Sequence, residues 1–225
     1  MKERDMRLTI WISLVAAAAL TLGAALSPVF AADPNPEAPL TARVLKVKGR
    51  MLVKDGEKDV ELTQGATVRE GQEVQASEGA SGVLELSDGS RVIVFPATRL
   101  RLERPAKKTV RLDQKEGFTW IRAAKKQGDE SFEVKTPVAV AGVRGTAFSA
   151  DVDPEGHSAI CVCEGKVEVE SGGQKQMIRA GELVAARPDA MDKPFHDRSV
   201  LERPEGRRTS CLECHQGGFA RYRGY

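Results

Sequence analysis

The sequence predicts an all-β fold: one domain of many short strands, built as a β-roll or sandwich, preceded by an export signal and followed by an extended C-terminal tail. Three observations carry this. From about Thr41 to Ala186, apolar and polar residues alternate in short runs broken by Gly-bearing turns, and no window holds a helical period. Aromatic residues make up 5% of the chain, so the core falls to Val, Leu, Ile and Ala. The two ends differ from this middle: the first is a long uncharged run, the last a polar, Arg-rich stretch.

The start comes first. MKERDMR carries three basic and two acidic side chains, and Leu8 to Phe30 then runs without a charge. Small residues at Ala31 and Ala32 offer a signal-peptidase site, so residues 1–32 read as a signal peptide and 33–40 as a polar linker. The run is also long enough to span a bilayer of about 30 Å, so an uncleaved leader would anchor the protein to the inner membrane. Either way the bulk of the chain is expected in the periplasm. No cysteine follows the run closely, which argues against a lipid anchor. The net charge is +2, from 34 basic and 32 acidic residues. A chain so balanced lacks the basic surface that nucleic acid requires.

Residues 41–187 hold the β pattern. VLKVKGRMLV supplies opening strands, and turns are expected at Asp55-Gly56 and Glu70-Gly71. Ser87-Asp88-Gly89-Ser90 separates GVLEL from RVIVF, a hairpin signal because Gly accepts the positive φ that such turns need. In TRLRLE, Leu100 and Leu102 alternate with Arg99, Arg101 and Glu103, as in a half-buried strand. Pro137, lacking an N–H, suits a strand start, and Gly145 suits a bend. Arg144 reads as a partly buried ion-pair partner rather than a ligand contact. In AICVCEGKVEV a two-residue turn at Glu164-Gly165 would pair Val162 with Val167 and Ile160 with Val169 as one hairpin. Cys161 and Cys163 would then point away from the core. At about 7 Å apart on one strand they exceed the roughly 3.5–4.5 Å Cβ separation of a disulfide, so they do not bond each other. A further turn is expected at Gly172-Gly173.

FEVKTPVAVAGVRGTAFSADV, the CEGKVEV segment and the closing IRAGELV together resemble the FecR domain, the periplasmic β module of bacterial cell-surface signalling regulators. REGQEVQA and GVLELSDGSRVIV agree with it, and the resemblance covers about residues 41–187. It implies a module that receives a signal at the outer membrane and works with an envelope protein partner. In that family a membrane helix passes the signal to a cytoplasmic segment that holds a sigma factor. Only seven residues precede the apolar run here, too few to grip one. The resemblance therefore implies an interaction or sensing module and not direct transcriptional regulation.

Residues 188–225 read as a polar tail carrying Cys211-Leu212-Glu213-Cys214-His215. This matches the c-type haem attachment motif: Cys211 and Cys214 add to the haem vinyl groups and His215 becomes an axial iron ligand. Haem c is the expected cofactor, for electron transfer or haem-linked sensing. His196, nineteen residues earlier, is the candidate sixth ligand; Met177 and Met191 are the thioether alternatives, and His157 is expected to be solvated. Arg207, Arg208, Arg221 and Arg223 could pair with the propionates or simply keep the tail soluble. Two other readings stay open. Cys211 and Cys214 could form a disulfide or redox dithiol, or join Cys161 and Cys163 in a tetrahedral zinc clip. In those the protein is a non-haem scaffold. No G-x-S-x-G, phosphate loop or tied acidic pair appears, so no enzyme activity is expected.

Overall fold

Residues 39–195 are described in the computed structural model, and among them the chain forms only strands and their connections. Seventeen strands follow one another: β1 (Thr41–Lys48), β2 (Met51–Asp55), β3 (Lys58–Glu61), β4 (Thr67–Arg69), β5 (Glu73–Ala76), β6 (Ser81–Leu86), β7 (Arg91–Val94), β8 (Thr98–Ala106) and β9 (Thr109–Arg122). After these come β10 (Ser131–Lys135), β11 (Val140–Val143), β12 (Ala147–Val152), β13 (Ser158–Glu164), β14 (Lys166–Ser171), β15 (Gln174–Arg179), β16 (Leu183–Arg187) and β17 (Ala190–Met191).

Pairing arranges them in two sheets. The first runs β4, β1, β6, β7, β9, β12, β13, β16, β17. The second runs β3, β2, β5, β8, β9, β10, β11, β14, β15. Every pair is antiparallel except β9 with β10. Strand β9, 14 residues long, belongs to both sheets: Thr109–Glu116 pairs with β8, and Gly117–Arg122 pairs with β12.

The switch happens at Gly117, whose φ is +85°. A Cβ there would lie 2.4 Å from the Ala97 carbonyl oxygen and 2.5 Å from Thr98 Cα, so only a hydrogen fits. Thr98 Oγ1 accepts from the Phe118 amide at 3.0 Å and donates to the Phe118 carbonyl at 3.1 Å. Inside the bend, buried Gln114 donates through Nε2 to Gly117 O at 2.7 Å and Ala150 O at 3.2 Å. Its Oε1 accepts from Thr119 Oγ1 at 2.7 Å. These bonds satisfy the polar groups exposed where one ladder gives way to another.

The main core lies between the sheets. Val44, Leu84, Val92, Ile121, Phe148, Ile160 and Val184 of the first sheet join Val74, Leu100, Leu112, Val134, Val169 and Ile178 of the second. Each fully buried side chain of this size contributes about 1.5–3 kcal/mol relative to exposure. Leu100 and Leu102 are buried as the alternation in TRLRLE requires, and the Asp88-Gly89 turn joins β6 to β7 with Glu85 opposite Arg91. Gly172-Gly173 closes the β14–β15 hairpin, with Ser171 opposite Gln174.

Three local expectations are corrected. The Glu164-Gly165 turn closes no hairpin: β13 pairs with β12 and β16 in the first sheet, whereas β14 pairs with β11 and β15 in the second. The chain turns a corner between sheets there. Ile160, Val162, Val167 and Val169 still face one core, but from opposite layers, which is why an alternation pattern alone could not distinguish the two. Pro137 does not start a strand. It lies in the β10–β11 connection, where the Thr136 amide bonds Ala139 O at 2.8 Å. Arg144 is exposed and donates to Gly128 O at 2.6 Å; it only helps, after Lys108, to hold the Asp129 carboxyl below the ordinary carboxylate range. Gly145 does bend, with φ +107° and its Cβ direction closed by Lys125 Cα at 2.9 Å. Pairing continues beyond Arg187: β17 lies on β16, and Phe195 bridges Leu183.

Candidate functional site

A row of side chains crosses the outer face of the first sheet. Register sets Val83 opposite Ile93, Ile93 opposite Trp120, Trp120 opposite Ser149, Ser149 opposite Cys161, Cys161 opposite Leu183, and Leu183 opposite Phe195. Their chain neighbours Leu84, Val92, Ile121, Phe148, Ile160 and Val184 all enter the inter-sheet core. The two-residue period of a strand therefore turns the row outward. Even so, Val83 through Leu183 are each at most 7% exposed, and β12 is buried at all six positions. A sheet strand buried on both faces is a strand with something over each face.

Side chains around the row add to it. Phe95 and Phe118 meet edge to face at 5.0 Å between centroids, and Leu45 and Cys163 pack nearby. Arg122 holds its guanidinium carbon 5.7 Å from the Trp120 ring centroid and reaches Glu164 Oε2 at 3.4 Å. Beyond β7 the Asp88 carboxylate accepts from the Ser90 amide and hydroxyl, both at 2.9 Å, and from Lys126 Nζ at 2.6 Å. The row and its neighbours thus form a second apolar layer on the outer side of the first sheet.

Of the residues singled out from the sequence, His196, Cys211, Cys214, His215 and the four tail arginines lie outside the described residues. Cys161 sits in the row, 2% exposed, and takes part in a disulfide. Cys163 is half-buried and remains a thiol. Both point away from the main core, as the alternation required, but into this second apolar layer rather than into water. His157 Nδ1 lies 3.0 Å from Asp153 Oδ2, half-exposed in its turn. Met177 is exposed on β15, and Met191 is buried in the core. Among the described residues no three His, Cys, Asp or Glu side chains cluster to hold a metal. Sequence reasoning missed the row. The available signal was continuous apolar runs such as RVIVF and AICVC, which alternate too little for a strand with one wet face.

No curated protein matches the chain. Two crystal structures from Parabacteroides distasonis ATCC 8503, each described as a candidate anti-sigma factor, are similar in fold. One, at 2.50 Å resolution, has 21% identity and a TM-score of 0.50 over 55% of this chain and 58% of that one. The other, at 1.65 Å, has 20% identity and a TM-score of 0.50 over 57% of this chain and 64% of that one. The chain thus spans about three fifths of each, and at these identities the likeness is one of fold. Residues 72–168, somewhat under half of the chain and spanning β5 to β14, match the family model described as FecR protein.

Proposed function

We propose that the chain is an exported, FecR-like sensing or protein-interaction module of the periplasm, without catalytic turnover, that docks an envelope protein partner. The observation that carries it is the FecR match at residues 72–168 on a two-sheet β fold. The anti-sigma factor descriptions of the fold relatives support a regulatory setting. The balanced charge argues for a protein partner over nucleic acid. A photo-crosslinking residue placed at exposed Val60 or Met177, in the full chain expressed in its own cell envelope, tests this. A discrete adduct with one envelope protein supports the reading. Purely cytoplasmic chain with its leader intact, or robust turnover of a defined substrate, would sink it.

A second reading rests on Cys211-Leu212-Glu213-Cys214-His215 alone. Here Cys211 and Cys214 carry a haem c, His215 is the axial ligand and His196 the sixth. When bound, haem would supply one-electron chemistry. Both thiols must be available for the two thioether bonds. A haem stain of the denatured protein, compared between wild type and Cys211→Ser/Cys214→Ser, tests it; an unstained wild-type band removes haem from the account.

A further inference from the structure

We infer that copies of this chain join edge to edge, β3 of one against β15 of the next, so that the second sheet continues from molecule to molecule. Among the described residues these are the two strands of that sheet with a ladder on one side only. They also carry the two exposed large apolar side chains, Val60 at 50% on β3 and Met177 at 40% on β15. An open edge that holds an apolar side chain in water is a template for a further strand.

The backbone phase of the two edges matches. The Leu62 amide donates to Met51 O at 2.8 Å, which makes Val53–Val60 a hydrogen-bonded pair of β2 and β3 and Lys54–Asp59 and Leu52–Glu61 non-bonded ones. Asp59 and Glu61 therefore aim their N–H and C=O groups off the sheet. The Ala180 amide donates to Gly165 O at 3.1 Å, so by the same count Lys175 and Met177 aim theirs off β15. Arg179 ends this open stretch, because its amide and carbonyl are both bonded to Glu182. Seven of the eight pairings from β3 to β15 are antiparallel, so the two edges meet antiparallel when the outer faces of both copies lie on one side. Glu61 opposite Lys175 and Asp59 opposite Met177 then uses all four outward backbone residues.

Charge selects this pairing over its rivals. Val53 and Ile178 belong to the core, so Asp59 and Glu61, and likewise Lys175, Met177 and Arg179, stand on the outer face. Two β3 edges would set carboxylates against carboxylates, and two β15 edges cations against cations; one of each sets Glu61 against Lys175. Lys175 Nζ lies 3.1 Å from Glu170 Oε2 and 3.6 Å from Glu168 Oε1, yet its side chain is 59% exposed and open to a third carboxylate. Because the contact joins unlike edges, it repeats into an open chain or a ring instead of stopping at two.

The inference does not depend on the envelope partner proposed above, and a test on purified full chain keeps the two apart. Sedimentation equilibrium up to about 1 mM is combined with a photo-crosslinking residue at Val60, its adduct mapped by mass spectrometry. Expected are species beyond a dimer as concentration rises, and adducts from Val60 to residues 174–178 of another copy. Asp59→Pro and Met177→Pro each remove one outward N–H and no ladder bond, so both should keep the unfolding midpoint of wild type. Each alone should stay monomeric. Mixed, they should give a 1:1 pair and nothing larger, since one intact β3 then meets one intact β15. Glu61→Lys, which leaves every backbone group in place, should weaken association by about tenfold or more. Monomeric wild type, adducts confined to β3, self-association that survives either proline, or unchanged association in Glu61→Lys overturns the inference.

Discussion

Lys126 Nζ lies 2.6 Å from Asp88 Oδ2, with the two side chains only 7% and 12% exposed. Asp88 also holds Ser90, whose hydroxyl accepts the Ala124 amide at 3.0 Å, so one carboxylate fastens the β6–β7 turn to the chain that leaves β9. Removing one partner of a shielded pair strands the other charge, at about 3–5 kcal/mol when burial is complete. The Ser90 bonds persist here, so Lys126→Met is expected to cost about 2–3 kcal/mol in urea unfolding. Asp88→Asn in the same chain should recover part of it. A single-variant cost under about 0.5 kcal/mol would place the pair with ordinary surface ion pairs.

Gly117→Ala should be among the most damaging single-methyl additions in the protein. The left-handed φ alone costs about 1–2 kcal/mol for a residue with a Cβ, and the backbone of Ala97 and Thr98 must move as well. We expect 3 kcal/mol or more in total, at about the upper end of overpacking costs. Gly173→Ala, with φ +76° and open space around it, should show only the conformational part. Equal losses at the two sites would mean that β9 does not need its close approach to Thr98.

Trp120 is the only tryptophan among the described residues. Its emission therefore reports on the outer row. It should be blue-shifted and weakly quenched by acrylamide, because the indole is 2% exposed. Strong quenching would show the row open to water.

Acid and alkali should act on the Lys108–Asp129 pair in opposite senses. The Lys108 hydrogen bond is the main cause that lowers the Asp129 carboxyl, and Asp129 in turn raises the Lys108 amine. A lowered carboxylate stabilises the fold above its unfolded value and loses that contribution as pH falls through its folded value. The raised amine contributes below its unfolded value and loses it as pH rises through its folded one. Carboxyl NMR titration should place Asp129 below 3.8, moving up in Lys108→Ala, while stability at neutral pH hardly changes because the pair is exposed.

Turns and strand faces were legible in the sequence where one residue type decides them: Gly89 and Gly172-Gly173 close hairpins, and Leu100 and Leu102 face the core. Sheet membership was not. Val162 and Val167 look identical to a period-two rule whether they pair across a hairpin or face each other across a core, because alternation records sides and not neighbours. The candidate site was half legible. Cys161 stood out, but its row of partners comes from six other segments, aligned only by register.

Among the described strands no register joins β1–β8 to β10–β17 directly; β9 is the seam to which both groups are stitched, to β7 and β12 in the first sheet and to β8 and β10 in the second. In ladder hydrogen bonds the two groups are held together through that strand alone, while side chains of both share the inter-sheet core. Shear along β9 breaks many ladder bonds together, while peeling from either end breaks them singly. The molecule should then resist tension along that strand better than tension across it.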